Sequence, residues 1–235
     1  IRKALKHSEC EIRKATETVR QTNEMKNRFL SKMSYNIRIP LNNVVGFSQL
    51  IACESNIDKE ARQEYTNIIH QSSEKLMKLV NDVLDLSRLE AQMMKFQVQD
   101  YDVIELCKEV CCMARVQNEQ TGINVDFSTK IDSPIIIHTD TRRLTQALLS
   151  ALVYPQEHRQ ERYIRFILSR GKDVLHFQIS NSPLADPAFV SQETIIRHDI
   201  NLLLLQHFGG DYFVNQETPE NPEIVFIYPI SSESK

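Results

Sequence analysis

The sequence predicts an α+β protein: an antiparallel helical hairpin followed by a two-layer α/β sandwich. Three observations carry this. Between positions 61 and 90, steps of three and four residues run through Ala61, Tyr65, Ile68, Ser72, Leu76, Leu79, Val83 and Leu86 to Glu90, the spacing of one helix face. Beyond Glu90 the period changes, and short alternating or apolar runs bounded by turn residues mark strands interleaved with helices. The length, 235 residues with 41% hydrophobic and 25% charged side chains, suits one ordinary domain or two small ones.

The first helix has a long approach. Positions 8–35 contain neither Pro nor Gly, and Ile12, Val19, Phe29 and Met33 fall at heptad-like spacing, which predicts an entering coiled coil. Nine basic against four acidic side chains over 1–35 fit either a stretch near a membrane's cytoplasmic face or a solvated helix face. Pro40 interrupts a helical pattern that resumes at once through Leu41, Val44, Val45, Ser48 and Ile51, so a kink is expected there. A turn over 54–57 leads into the second helix. Two helices alone cannot bury a seam on each, so a second copy is expected to complete a four-helix bundle.

The second domain is expected to span 92–235, after a helical domain over 1–91. A strand from Phe96 to Tyr101 precedes a helix over 103–119, then strands at 123–128 and 135–138. Asp140 or Thr141 can cap a helix reaching Val153, which Pro155 stops. Strands 163–168 and 174–179 form a hairpin across Arg170, Gly171 and Lys172. A helix over 195–208 ends at Gly209, and strands 212–215 and 224–228 complete a layer of about five strands and three helices.

Composition excludes several function classes. Only 5 of 235 residues are Gly, and neither GxGxxG nor GxxxxGK[ST] occurs. A net charge of -3 argues against grip on nucleic acid through the overall field. Five cysteines, with Cys107, Cys111 and Cys112 clustered and no CxxC, predict a reducing compartment and buried helix-face thiols with no metal. His138, His158, His176, His198 and His207 are scattered, which predicts packing or surface roles. No apolar run approaches a membrane span. The opening Ile1-Arg2-Lys3, in mid-helix, leads us to expect a fragment of something longer.

Positions 29–42, FLSKMSYNIRIPLN, followed by Val44-Val45-Gly46-Phe47-Ser48, resemble the dimerisation and phosphoacceptor helix of sensor histidine kinases, where the family writes FLxxMSHEIRTPLN. Asp85-Leu86-Ser87-Arg88-Leu89-Glu90 resembles the end of the second dimerisation helix, 140–152 the first helix of the ATP pocket, and 202–229 the family's closing helix, Gly-Gly and two strands. The match is in order along nearly the whole chain. It implies the histidine-kinase ATPase type of α/β sandwich, a homodimer, ATP and Mg²⁺ as the family's cofactors, and a response-regulator receiver domain or another histidine kinase as partner in a phosphorelay. A cytoplasmic domain is expected, touching a membrane only through a missing upstream segment, as in an inner-membrane parent.

The residues of the chemistry depart from that pattern. The acceptor His and its neighbouring acid are replaced by Tyr35 and Asn36, a phenol protonated at neutral pH and an amide that cannot act as a base. Ile39 stands where the family's phosphatase residue orients water. Ser150 and Tyr154 stand for the two pocket Asn residues, and Ser180-Asn181-Ser182 stands where the adenine-reading Asp is expected, leaving Asn181 at an eroded position. The Gly-rich lid is replaced by 197–201, RHDIN. The resemblance thus implies a pseudokinase with no catalytic residue, no bound ATP or Mg²⁺, and work as a dimeric scaffold or conformational relay. Tyr154 and Pro155 are expected to fill the nucleotide space. The alternative is an active sensor kinase using ATP with Tyr35 as an unusual acceptor. Receiver docking is expected at Asn43, Phe47 and Leu50, the last two of which also suit plain bundle core.

Overall fold

The computed structural model describes residues 36–53, 57–154, 163–186, 191–215 and 222–230. The entering coiled coil, Tyr35, most of the 54–57 turn, Pro155 and His158 lie outside the described residues. The chain divides after Val80 into two compact units.

In the first unit, α1 (36–53) is helical on both sides of Pro40 and faces the opening turns of α2 (Lys59–Glu90). Phe47 packs on Tyr65 with ring centroids 5.2 Å apart, and Asn43 Nδ2 donates to Ser72 Oγ at 3.5 Å. Rising numbers on α1 meet falling numbers on α2, so the hairpin is antiparallel. Asp58 opens α2 by accepting from the Ala61 amide at 2.7 Å, which serves one of the unpaired N–H groups of a helix start. The predicted seam is the inner face: Ser72 and Leu79 are buried and Ala61, Tyr65, Ile68 and Leu76 half-buried. Glu90, the last residue of the predicted seam, is exposed, because a carboxylate there stays in water. A second apolar set remains outside: Val45 is 47% and Met77 60% exposed, with Ile39, Leu41 and Val80 beside them in kind.

The second unit begins with the last turns of α2. Then follow β1 (Gln99–Asp102), α3 (Val103–Asn118), a short turn of tight helix (Glu119–Thr121), β2 (Asn124–Thr129) and β3 (Ile136–Thr139). After these come α4 (Thr141–Leu152), β4 (Tyr163–Arg170), β5 (Val174–Ser180), α5 (Gln192–His207), β6 (Asp211–Asn215) and β7 (Glu223–Pro229). Five strands form one sheet in the order β2-β4-β5-β7-β6, with β2 parallel to β4 and the other pairs antiparallel. This sheet is the expected layer of about five strands, and β1 and β3 pair with each other in a separate two-stranded sheet.

Period-two alternation aims Ile164, Phe166 and Leu168 of β4 and Leu175, Phe177 and Ile179 of β5 to the same side, where all are fully buried. Register sets Phe177 opposite Phe226 of β7, and Phe226 opposite Tyr212 of β6. Onto this face α3 lays Val103, Leu106, Cys107, Val110, Cys111 and Ala114, a three-four stripe that leaves Cys112 exposed. Burial raises the Cys107 thiol well above its ordinary value and the Cys111 thiol to about 11.

Asp140 does the capping, accepting from the Arg143 amide at 3.1 Å with one oxygen. Its other oxygen accepts from the Gln97 amide at 2.9 Å, so residue 97 is withheld from any ladder. This corrects the strand expected from Phe96: β1 starts at Gln99, and the Phe96 ring stacks on His207 at 4.0 Å and meets the edge of Phe208. Ser191 starts α5 three residues earlier than expected by accepting from the Thr194 amide. At its other end Gly209 takes φ 77°, and a Cβ on Gly210 would stand 2.1 Å from the Ile227 carbonyl oxygen.

Phe177 is fully buried between β4, β7 and the helices. Phe177→Ala is expected to lower the unfolding free energy by about 3–5 kcal/mol, measured by urea titration; a loss below about 1 kcal/mol, within the range of an ordinary surface change, would contradict this core.

Candidate functional site

The side chains singled out on α1 are spread along one helix. Asn36 is half-buried and Ile39 is 47% exposed. Asn43 and Phe47 face α2 through the contacts given above, whereas Leu50 is 39% exposed. Amide, sec-butyl and phenyl groups on this surface offer no group that takes a proton near neutral pH.

Ser150, Tyr154 and Asn181, the positions that the resemblance pairs with the family's nucleotide site, are by contrast brought together between α4, α5 and the loop after β5. Tyr154, 2% exposed, donates its hydroxyl to the Asn181 carbonyl at 2.8 Å. Its own amide donates to Asn118 Oδ1 at 3.0 Å, while Asn118 Nδ2 donates to the Leu152 carbonyl at 2.7 Å. One buried amide side chain from the end of α3 thereby holds the exit of α4. Asn181 adopts φ 59°, a left-handed conformation that Asn tolerates, and its Nδ2 donates to the Tyr163 carbonyl. Ser150 Oγ donates to the Ala147 carbonyl at 2.6 Å and accepts from Asn201 Nδ2 at 3.2 Å. Ser182 Oγ donates to the Ala151 carbonyl at 2.7 Å.

His198 completes the closure. The Leu184 carbonyl can only accept, so His198 Nε2 donates to it at 3.0 Å, and Nδ1 therefore accepts from the Tyr212 hydroxyl at 2.6 Å. The neutral ring is fully satisfied, and burial lowers its pKa. Burial likewise raises the Tyr212 hydroxyl. His198 and Asp199 do not act as a pair, since Asp199 is exposed and both nitrogens of His198 are engaged elsewhere. The pocket beside this network, lined by Asp85, Arg143, Gln146, Arg197, Asn201 and Leu204 among others, has a volume of about 10 Å³, room for about one water.

Two ion pairs that sequence reasoning missed flank that pocket. Arg197 Nη2 donates to both oxygens of Asp82 at 2.6 Å, and Arg143 Nη1 donates to Asp85 Oδ2 at 2.5 Å. Their only signal in the sequence is a pair of acids three apart beside the seam. Among the described residues no cluster of His, Cys, Asp and Glu is arranged for a metal, and no helix is long and apolar enough to cross a membrane.

Residues 25–92 match the family model of the His Kinase A (phospho-acceptor) domain. The chain is 34% identical over 137 residues to hybrid signal transduction histidine kinase A of Dictyostelium discoideum, covering 58% of this chain and 6% of that protein. It is 33% identical over 155 residues to the autoinducer 2 sensor kinase/phosphatase LuxQ of Vibrio cholerae, covering 65% and 17% respectively. Among solved structures, the histidine kinase ThkA in complex with the response regulator protein TrrA shares the fold with a TM-score of 0.66 at 16% identity, over 92% of this chain and 65% of that one. The histidine kinase AdeS of Acinetobacter baumannii does so with 0.60 at 13% identity, over 84% and 98%. Residues 25–92 thus carry the signature of the His Kinase A (phospho-acceptor) domain, and the chain, similar to histidine kinases over more than half its length, spans a small part of the length of the curated relatives it matches.

With a lowered folded pKa, His198 binds its proton later than the unfolded chain does as pH falls. Its contribution is complete above about pH 6.5, the unfolded value, and is lost as pH drops through the lowered folded value. Melting temperatures between pH 7 and 5 should therefore fall more steeply for the wild type than for His198→Gln; parallel curves would contradict a neutral buried ring.

Proposed function

We propose that this chain is a catalytically inactive histidine kinase, a pseudokinase that acts in a two-component phosphorelay as a dimeric scaffold or conformational relay. The observation that supports this most directly is the bonding between α4, α5 and the loop after β5: Tyr154, Ser150, Asn201 and His198 engage one another or nearby backbone groups in hydrogen bonds. ATP would have to displace these bonds and find a metal ligand and an adenine-reading carboxylate that positions 150, 154 and 181 do not supply. The side chains at Asn36 and Ile39 support the same reading, since the Asn36 amide cannot take the proton of an acceptor and the Ile39 side chain cannot orient water.

The exposed apolar set on Ile39, Leu41, Val45, Met77 and Val80 supports a homodimer through a four-helix bundle, because water contact with those side chains is relieved only by another surface. The partner proposed is a response-regulator receiver domain or another histidine kinase, docking near Asn43, Phe47 and Leu50; the ThkA structure, which holds a response regulator, supports that kind of partner. The free thiols among the described residues fit a reducing cytoplasmic setting.

Titration with MgATP decides the central point. No heat and no thermal shift are expected, whereas nucleotide at about 100 times its Kd would add about 2.7 kcal/mol of stability. A magnesium-dependent shift would overturn the pseudokinase reading and favour Tyr35 as an acceptor. Light scattering should give the mass of two chains, and Leu50→Glu should keep that mass and the melting temperature while weakening capture of the receiver domain at least about tenfold, or about 1.4 kcal/mol. A monomer with both helices intact, or unaltered capture, would contradict these assignments.

A further inference from the structure

The last turns of α2 are held by charges on two other helices of the second unit. Arg197 on α5 and Asp82 on α2 are 7% and 3% exposed in their side chains, and Arg143 on α4 and Asp85 on α2 are 23% and 13% exposed. Both pairs are withdrawn from bulk water, so neither is screened as a surface bridge would be. Arg197 also lies in the segment that replaces the family's Gly-rich lid.

We propose that Arg197–Asp82 and Arg143–Asp85 form a latch that couples the end of α2 to α4 and α5. Closed, it makes the end of α2 and the two helices move as one piece. Residues three apart on a helix point about 60° from each other, so Asp82 and Asp85 share a face. Any turn of α2 about its axis therefore carries both carboxylates away together. Separating either pair leaves a poorly hydrated charge without its partner, which disfavours half-open states and makes opening a step between two arrangements. The Asp140 bond to the Gln97 amide leashes the connecting segment to α4, so its opening is tied to the same helix. The latch deepens the relay reading and rests on it for its role, while its geometry stands without it.

Hydrogen–deuterium exchange on the full chain tests the latch with no nucleotide or partner present. In Arg197→Met, amides of the end of α2 and of 91–98 should exchange at least about tenfold faster, while those of β4 and β5 change less than about threefold. Arg197→Lys should fall between wild type and Arg197→Met. Should Arg197→Met fail to fold, Asp85→Asn, in the more exposed pair, carries the same criterion. Unchanged exchange in a folded variant, or equal acceleration in the sheet, would overturn the latch by showing the pairs to be bystanders or general stabilisers. MgATP binding alongside selective acceleration would sink the pseudokinase reading and leave the latch standing.

Discussion

The burial of one face of the five-stranded sheet is the constraint on which the second unit depends. Phe166, Phe177 and Phe226 sit there with no exposure, and each must be covered by helix because a sheet cannot dry its own face. The three-four stripe of α3 and the apolar side of α4 meet that need, and α5 adds Leu204 and Leu205. The positions of all three helices follow from it. So does the position of the pocket, which is simply where α4 and α5 diverge over the sheet.

Here the filling is polar and self-contained. Buried hydroxyl and amide groups cost stability unless paired, and Tyr154, Asn118, Ser150, Ser182 and His198 find partners in the chain itself. A site kept for a polar ligand holds its donors and acceptors ready for that ligand. Among the described residues these groups bond to nearby backbone and side chains. The same economy extends to charge: Arg143 and Arg197, which could attract phosphate, each face a carboxylate of α2.

Local signals in the sequence were sufficient for most elements. The seam from Ala61 to Leu86, the Asp140 cap, the hairpin around Gly171 and the Gly209 stop each depend on neighbours within a turn or two, and they stand as read. What escaped depends on distant partners. Phe96 reads as the start of a strand, and only its contact with His207 and the hold of Asp140 on residue 97 set it elsewhere. Asp82 and Arg197 are 115 positions apart, a separation across which no periodic pattern carries information. At the site, the residue types at positions 150, 154 and 181 were legible by letter. The way Tyr154 and His198 turn inward to close the gap was not, because it is a matter of side-chain reach.

The thiols of α3 carry a consequence of a different kind. Oxidants and alkylating reagents attack the thiolate, and Cys107 and Cys111 are kept protonated by burial against the sheet. Cys53 and Cys112 are exposed. Peroxide or a maleimide probe would therefore divide the described cysteines by position, marking the tip of the hairpin and the outer face of α3 while passing over the core. Reaction at Cys107 would then report the loosening of α3 from the sheet, a built-in chemical reporter of unfolding that leaves the folded chain unmarked at that position.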